Sequence, residues 1–460
     1  AQWTSTGNAE YTLGTIDKKN TGTDIIIILK DDTFSDSFKI KNIISQYFSH
    51  NPISIYFNEI KDEKPTEPTK LNDEFSIFKT PNDKITNKQY NDLYSKTFYD
   101  YSEPLLISNT TKELMHLTMK VVLFFPRNKP FDLNNADTNN PNNIKLYVNN
   151  TFINNKSALT GRAFRWVKGI ISCDNIQLNM SRENMQNNDA HVPMIQKTLD
   201  KTIINEISKL KTKDAEKYQQ ITTTFNSILK EGLCQPNYNK DLMKIISFTT
   251  LDNQNQTNTS TLNEYIEEQN KNHKESDKKE IYYLLAAATD VNNLQQQNKH
   301  HIRRFQSMVP NKKIILLYDS VDFFWTKFIT EHQEYKLISI QSIESNDTEK
   351  HEKDNDQFIK FIKDELKEHI DKVKINNSNE YPIQLQGNAT NDNIVNQITG
   401  NNQSNIKNSI EINLQHPLIQ KIKEKNDKKT LHTLHNIALI LEGQQPINRT
   451  DFANHILNTV

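Results

Sequence analysis

The chain has 460 residues and a nearly balanced charge, with 56 Lys and Arg against 57 Asp and Glu. A balanced chain has no global field to hold a polyanion, so nucleic acid and anionic membranes are excluded as first hypotheses. Two cysteines, and no apolar run near the roughly 20 residues of a membrane span, predict a soluble, unexported protein of several domains in a reducing compartment.

The first half of the chain predicts mixed α/β layers. The run IIIIL at residues 25–29 predicts a strand, the apolar positions of 38–47 follow helical spacing, and ISIYF at 53–57 returns to strand. A charged stretch with two prolines, 61–73, predicts an exposed loop or linker. Further strands are predicted at 114–125, 143–153 and 166–172.

Beyond Pro193 the pattern changes to helix. Apolar residues recur every three or four positions along 195–210 and again along 218–229, where Gly232 is a plausible stop. IYYLLAA at 281–287, a helical stretch to about 307 and KKIILLYD at 312–319 predict a parallel βαβ unit. The polar run 345–357 marks the next boundary.

Two short apolar stripes close the chain. Leu431, Leu434, Ala438 and Leu441 form the first stripe, and Phe452, Ile456 and Val460 form the second. Helices this short bury too little alone, so each needs a partner.

Motifs for common chemistries are absent from the sequence. None of the nine glycines falls in a phosphate-binding spacing, and there is no elbow for a serine nucleophile. The close histidine pairs, 300–301 and 432–435, lack further ligands, so we expect solvated helical histidines and no metal site. Cys173 is expected to be a buried small hydrophobe.

Two segments leave alternatives open. DFFWTKFI at 322–329 is either helix core or an exposed apolar patch that binds other proteins. LNMSRENMQNN at 178–188 holds one isolated cation, Arg182, which forms either a structural ion pair with Glu183 or Asp174 or part of a site.

Several long motifs, in one order and spacing, resemble the ninety-kilodalton heat-shock chaperone family, nearest its bacterial HtpG type. They cover essentially the whole chain, which makes the resemblance far more specific than one short pattern. The motifs include PRNKPFDL at 126–133, NIKLYV at 143–148, FRWVKGIISCDNIQLNMSRENMQ at 164–186, EINLQHPL at 411–418 and LILEGQQPINRTDFANHIL at 439–457.

The resemblance implies a multidomain fold of α/β and α+β classes. The implied parts are an exit strand of a preceding ATP-binding domain at 1–20, a middle domain at 21–342, a polar hinge at 343–357 and a mostly helical C-terminal dimerisation domain at 358–460. The middle domain would comprise a large α/β layer at 21–189, a helical connector at 190–235 and a small α/β layer at 236–342.

The resemblance also implies a function, a molecular chaperone that binds non-native client proteins in an ATP-driven clamp cycle. ATP with Mg²⁺ would be bound by the ATP-binding domain of the full-length protein, with Arg182 and Gln186 reaching the γ-phosphate. This chain alone is expected to hold no cofactor and to hydrolyse no ATP. A homodimer, client proteins and co-chaperones are the expected partners, in a bacterial cytoplasm. The alternative is a non-enzymatic client-binding or scaffold dimer.

The resemblance places the remaining site residues as follows. Clients would contact Phe323, Phe324 and Lys327, with Ile394, Val395 and Ile398 as a second, weaker patch. Dimerisation would use Leu431, Leu434, Ala438, Leu441, Phe452 and Ile456, because the last two helices pair in a four-helix bundle in this family.

Overall fold

The computed structural model describes residues 1–7, 9–51, 53–61, 64–72, 77–114, 117–133, 143–153, 159–173, 191–235, 237–271, 278–343, 355–377, 381–386, 407–442 and 444–457. These residues form two compact units. The first comprises 1–80 with 150–152, and the second comprises 81–149 with 153–460. No helix among the described residues is long and apolar enough to cross a membrane.

The first unit consists of small elements. Strands β1 (Gln2–Thr4) and β2 (Thr12–Gly14) pair antiparallel, and helix α1 (Ser37–Phe48) confirms the helical spacing. Two more short antiparallel pairs follow: β3 (Tyr56–Phe57) with β6 (Thr69–Lys70), and β4 (Ile60–Lys61) with β5 (Lys64–Pro65).

The predicted strand at 25–29 is wrong for this structure. The segment has no regular secondary structure, and its side chains are between 46% and 90% exposed. A strand needs a neighbour to satisfy its backbone hydrogen bonds, and the described part of the chain pairs nothing with this segment.

The second unit begins with helix α2 (Asn87–Phe98) and a mixed sheet. Four of its five strands are β7 (Leu106–Leu114), β8 (Leu117–Phe125), β9 (Ile144–Val148) and β11 (Lys168–Cys173), in the order β9-β11-β8-β7. β11 runs parallel to β9 and antiparallel to β8, and the short β10 (Thr151–Ile153) follows β9 in the chain. All six residues of β11 are buried, so its apolar run is continuous rather than alternating.

Two helices pack against this layer, as the apolar stripes predict. They are α3 (His191–Lys213) and α4 (Ala215–Glu231). The Trp166 ring stacks on Phe225 of α4, with ring centroids 3.9 Å apart. Gly232 follows α4 where a Cβ would lie 2.7 Å from the Cβ of Ala163, so close packing excludes a larger residue.

A second, six-stranded sheet confirms the βαβ prediction, because β14 (Glu280–Leu285) and β15 (Ile314–Leu317) are parallel. Helices α6 (Val291–Gln297) and α7 (Lys299–Met308) connect them. The strand order is β13-β12-β15-β14-β17-β16. The other elements are β12 (Phe248–Leu251), β13 (Thr257–Ser260), α5 (Leu262–Lys271), α8 (Asp322–Phe328), β16 (Glu331–His332) and β17 (Tyr335–Ser339).

The last part of the second unit combines helices with a three-stranded sheet of order β18-β20-β19. One apolar core unites these elements. They are α9 (Asp356–Leu366), β18 (Ile370–Ile375), β19 (Ile383–Gln386), β20 (Asn408–Ile412), α10 (Pro417–Lys425) and α11 (Lys428–Leu441). The last helix, α12 (Arg449–Leu457), has no buried residue and adds none to this core.

Candidate functional site

The isolated Arg182 and its neighbour Gln186 lie outside the described residues, and so do Ile394, Val395 and Ile398. The structure describes the elements on either side of Arg182. β11 ends at the buried Cys173, which pairs with Val148 and Met119 in the sheet, and α3 begins at His191. The burial of Cys173 confirms its prediction as a small core residue.

The aromatic segment on α8 divides between core and surface. Phe323 is only 2% exposed, so the expectation that its ring contacts clients is corrected: it belongs to the core. Phe324 is half-buried against the same core, whereas Lys327 and Phe328 are exposed, Phe328 at 49%. The same short helix carries both the buried and the exposed side chains because successive side chains point about 100° apart.

A buried ion pair holds α8 against α4. Lys230 Nζ lies 3.0 Å from Asp322 Oδ1 and 2.8 Å from Asp319 Oδ2. Burial alone would lower the pKa of Lys230, but Asp322 and Asp319 outweigh it and raise this pKa. Trp325 Nε1 donates to Asp322 Oδ1 at 2.7 Å. Because these partners satisfy the carboxylate, the cluster is structural, and nothing in the sequence pattern pointed to it.

The first terminal stripe faces the chain's own core, which corrects the dimerisation assignment of three residues. Leu431, Leu434 and Ala438 of α11 are 0%, 6% and 2% exposed in the core that β18, β19 and β20 also line. Leu441, from the same predicted stripe, is 38% exposed.

A different face of the last two helices is apolar and exposed. On α11 it comprises Ile437, Ile440 and Leu441, which are 37%, 46% and 38% exposed. On α12, Ile456 and Leu457 are 38% and 75% exposed, and Phe452 is half-buried. Of this α11 face the sequence pattern predicted only Leu441, because HNIALIL at 435–441 is apolar on several sides and spacing does not select one side.

The histidines predicted to be solvated are mostly buried. His301 is 1% exposed, and its Nε2 lies 2.7 Å from Glu442 Oε1; His300 Nε2 lies 3.2 Å from the same oxygen. Burial alone would raise the pKa of Glu442, but His301 and His300 lower it to about 2. His435 is 0% exposed, while His432, at 42%, pairs with Glu365.

Comparison with known proteins gives one consistent family. The family model for Hsp90 protein matches residues 56–460. The chain is 29% identical to Chaperone protein HtpG of Coxiella burnetii (strain RSA 331 / Henzerling II), over 96% of this chain and 73% of that protein. Chaperone protein HtpG of Vesicomyosocius okutanii is 28% identical over 99% of this chain and 74% of its own length, and that of Buchnera aphidicola is 29% identical over 94% and 70%.

Proposed function

Because this chain belongs to the Hsp90 protein family and is a molecular chaperone of that type, we propose that it binds non-native client proteins in an ATP-driven clamp cycle as a homodimer. The observation that carries the proposal is the family match over 56–460, which includes the candidate client segment and the terminal helices. Its relatives are bacterial, and we propose a bacterial cytoplasm as its location.

The apolar face of α11 and α12 supports the dimer. Family members work as dimers, and Ile437, Ile440, Leu441, Ile456 and Leu457 offer apolar surface that a second copy can cover. Burying apolar area contributes about 25 cal/mol per Å², so several large side chains on one face favour association. A helix-to-helix contact between two copies would place these side chains against their symmetry equivalents.

The client surface proposed here is the exposed edge of α8. Phe324 and Phe328 supply apolar area and Lys327 a charge, while Phe323 holds the helix in the core. Non-native proteins expose apolar side chains, which such an edge can contact. The second patch, with Ile394, Val395 and Ile398, remains a proposal from the sequence.

Full-length members of the family use ATP and Mg²⁺. We propose that Arg182 contacts the γ-phosphate of ATP held by the family's ATP-binding domain, with Gln186 supporting the contact. A guanidinium gives fixed, bidentate and always charged donors, which match the charge that develops on a transferring phosphoryl group. Co-chaperones are further proposed partners.

Aggregation of a heat-denatured reporter protein tests the client proposal. The chain should suppress light scattering by the reporter without ATP, and Phe328→Ser should weaken the suppression. Phe131→Ser is the matched control, because Phe131 is 98% exposed and does not belong to α8. No suppression by the wild-type chain in several-fold excess would contradict chaperone activity, and equal loss in both variants would contradict the α8 surface.

A further inference from the structure

We propose that His300, His301 and Glu442 form a binding site for a divalent transition metal, Zn²⁺ by preference. The three residues each offer one ligand atom, and these atoms lie within 4.8 Å of one another. Glu442 Oε1 is 3.2 Å from His300 Nε2 and 2.7 Å from His301 Nε2. Ligands at about 2.0–2.2 Å from Zn²⁺ are separated by comparable distances, so the ion fits with small side-chain shifts.

The donor set suits the ion chemically. Imidazole nitrogens favour Zn²⁺ and its first-row neighbours over Mg²⁺ or Ca²⁺, and two histidines with one glutamate form a known zinc-binding combination. Three protein ligands leave a fourth position for water. Sequence reasoning predicted no metal here, because Glu442 comes from 141 residues beyond His301.

The surroundings hold the ligands in place. Gln384 Nε2 lies 3.1 Å from His301 Nδ1, the nitrogen that faces away from Glu442. With its amide flipped, Gln384 Oε1 would accept a hydrogen bond from the Nδ1–H of His301, which leaves the Nε2 lone pair for the metal. The ring of Tyr381 packs edge-on against His300, with centroids 5.6 Å apart.

The cation beside the site is paired with its own carboxylate. The nearby Arg304 would oppose a cation, but its guanidinium pairs with the buried Glu411 at 2.7 Å. The ion would therefore meet one carboxylate and two imidazole nitrogens.

The site joins distant parts of the second unit. His300 and His301 lie on α7, part of the connection from β14 to β15 of the six-stranded sheet. Glu442 directly follows α11 of the C-terminal core. A bound ion would replace two hydrogen bonds by three coordinate bonds. Metal occupancy would then raise the stability of this junction, independently of client binding.

Zinc titration of the untagged chain at neutral pH, in competition with a chromophoric chelator, tests the proposal. We expect one equivalent to bind with micromolar or tighter affinity, and saturating Zn²⁺ to raise the melting temperature. Glu442→Gln and His301→Gln should each weaken binding at least about tenfold and abolish the thermal shift. His432→Gln, which removes an exposed histidine paired with Glu365, should behave as wild type.

Circular dichroism of the metal-free variants checks that they fold, and His300→Gln at the edge of the site replaces any variant that does not. Co²⁺ provides a second readout, since the wild-type chain should give visible absorption bands that the variants lack. Absence of one-equivalent binding at micromolar Zn²⁺ would overturn the site. Binding that persists unchanged in both Glu442→Gln and His300→Gln would also overturn it, because the ion would then lie elsewhere.

Discussion

Lys230 and Asp322 form a buried ion pair between α4 and α8, with Nζ 3.0 Å from Oδ1 and side chains that are 6% and 0% exposed. The backbone N–H of Asp319 also donates to Asp322, at 3.0 Å, which ties the start of α8 to the preceding turn. The pair therefore fixes the rotation of α8, and with it which aromatic side chains reach the surface.

Removing one partner of this pair should be costly. In Asp322→Ala the ammonium of Lys230 loses its fully buried partner, so we expect a loss of about 3–5 kcal/mol in the free energy of unfolding. Urea denaturation followed by tryptophan fluorescence measures it. Glu334→Ala, which removes the exposed partner of Lys279, should leave the unfolding midpoint unchanged.

Replacing both charges should cost less than removing one. In the double variant Lys230→Met and Asp322→Leu no fully buried charge is left unpaired, since Asp319 is 33% exposed, so its stability should exceed that of Asp322→Ala. If Asp322→Ala unfolds at the wild-type midpoint, the pair does not hold α8.

The exposed face of α11 should control self-association. Ile440→Asp places a charge on a side chain that is 46% exposed, which should weaken a dimer without unfolding the chain. Multi-angle light scattering should shift from twice the chain mass toward the chain mass. Leu418→Asp, at a 39% exposed leucine on α10, is the control and should stay dimeric.

The variant Leu434→Ala tests whether the face of α11 that carries Leu434 serves the chain's own core or the dimer. Because Leu434 is 6% exposed in the chain's own core, truncation should lower the free energy of unfolding by about 2–5 kcal/mol. If Leu434→Ala abolishes the dimer and leaves the free energy of unfolding unchanged, the stripe predicted from the sequence forms the dimer interface after all.

Asp200 should make stability depend on pH. Burial raises the pKa of its carboxyl from 3.8 to about 7, although the Gly161 N–H, 2.9 Å from Oδ1, acts in the opposite direction. The folded state therefore holds a proton that the unfolded chain releases, so this contribution is complete below about pH 4 and is lost as pH rises through about 7.

Asp200→Asn removes this titration and keeps an oxygen that can accept from Gly161. The variant should match wild type near pH 4 and exceed it at about pH 8 by an amount on the order of a few kcal/mol. Chemical denaturation at both pH values measures the difference. Asp83→Asn, at an exposed carboxylate, should reproduce the wild-type profile; a variant less stable than wild type at high pH would show that the ionised carboxylate is favoured.

Arg182 should matter for ATP turnover only when an ATP-binding domain of the family is joined to this chain. Arg182→Ala should reduce the turnover rate by about a thousandfold, with ATP affinity and melting temperature nearly unchanged. Arg182→Lys should recover little, because lysine lacks the planar fork of donors. Arg127→Ala is the control, and a large drop in melting temperature for Arg182→Ala would indicate a structural ion pair instead.

The sequence by itself determined the family and most element types. The stripes at 195–210 and 218–229 became α3 and α4, and the apolar runs at 281–287 and 312–319 became parallel neighbouring strands. Hydrophobic periodicity and the order of elements along the chain are properties of the sequence, so they can be predicted without knowledge of the packing. The order of the long motifs identified the family, which the family model confirmed.

Tertiary structure decided which side of each element is buried. Leu434 and Ile440 are both apolar residues of α11, but only Leu434 meets the core that β19 and β20 build. Likewise, the ion pair of Lys230 with Asp322 orients α8 so that Phe323 faces the core. His301 contacts Glu442 only because α7 and the end of α11 pack together. Which of these side chains is buried or paired depends on contacts between residues far apart in the chain. A local sequence pattern does not specify the geometry of such contacts.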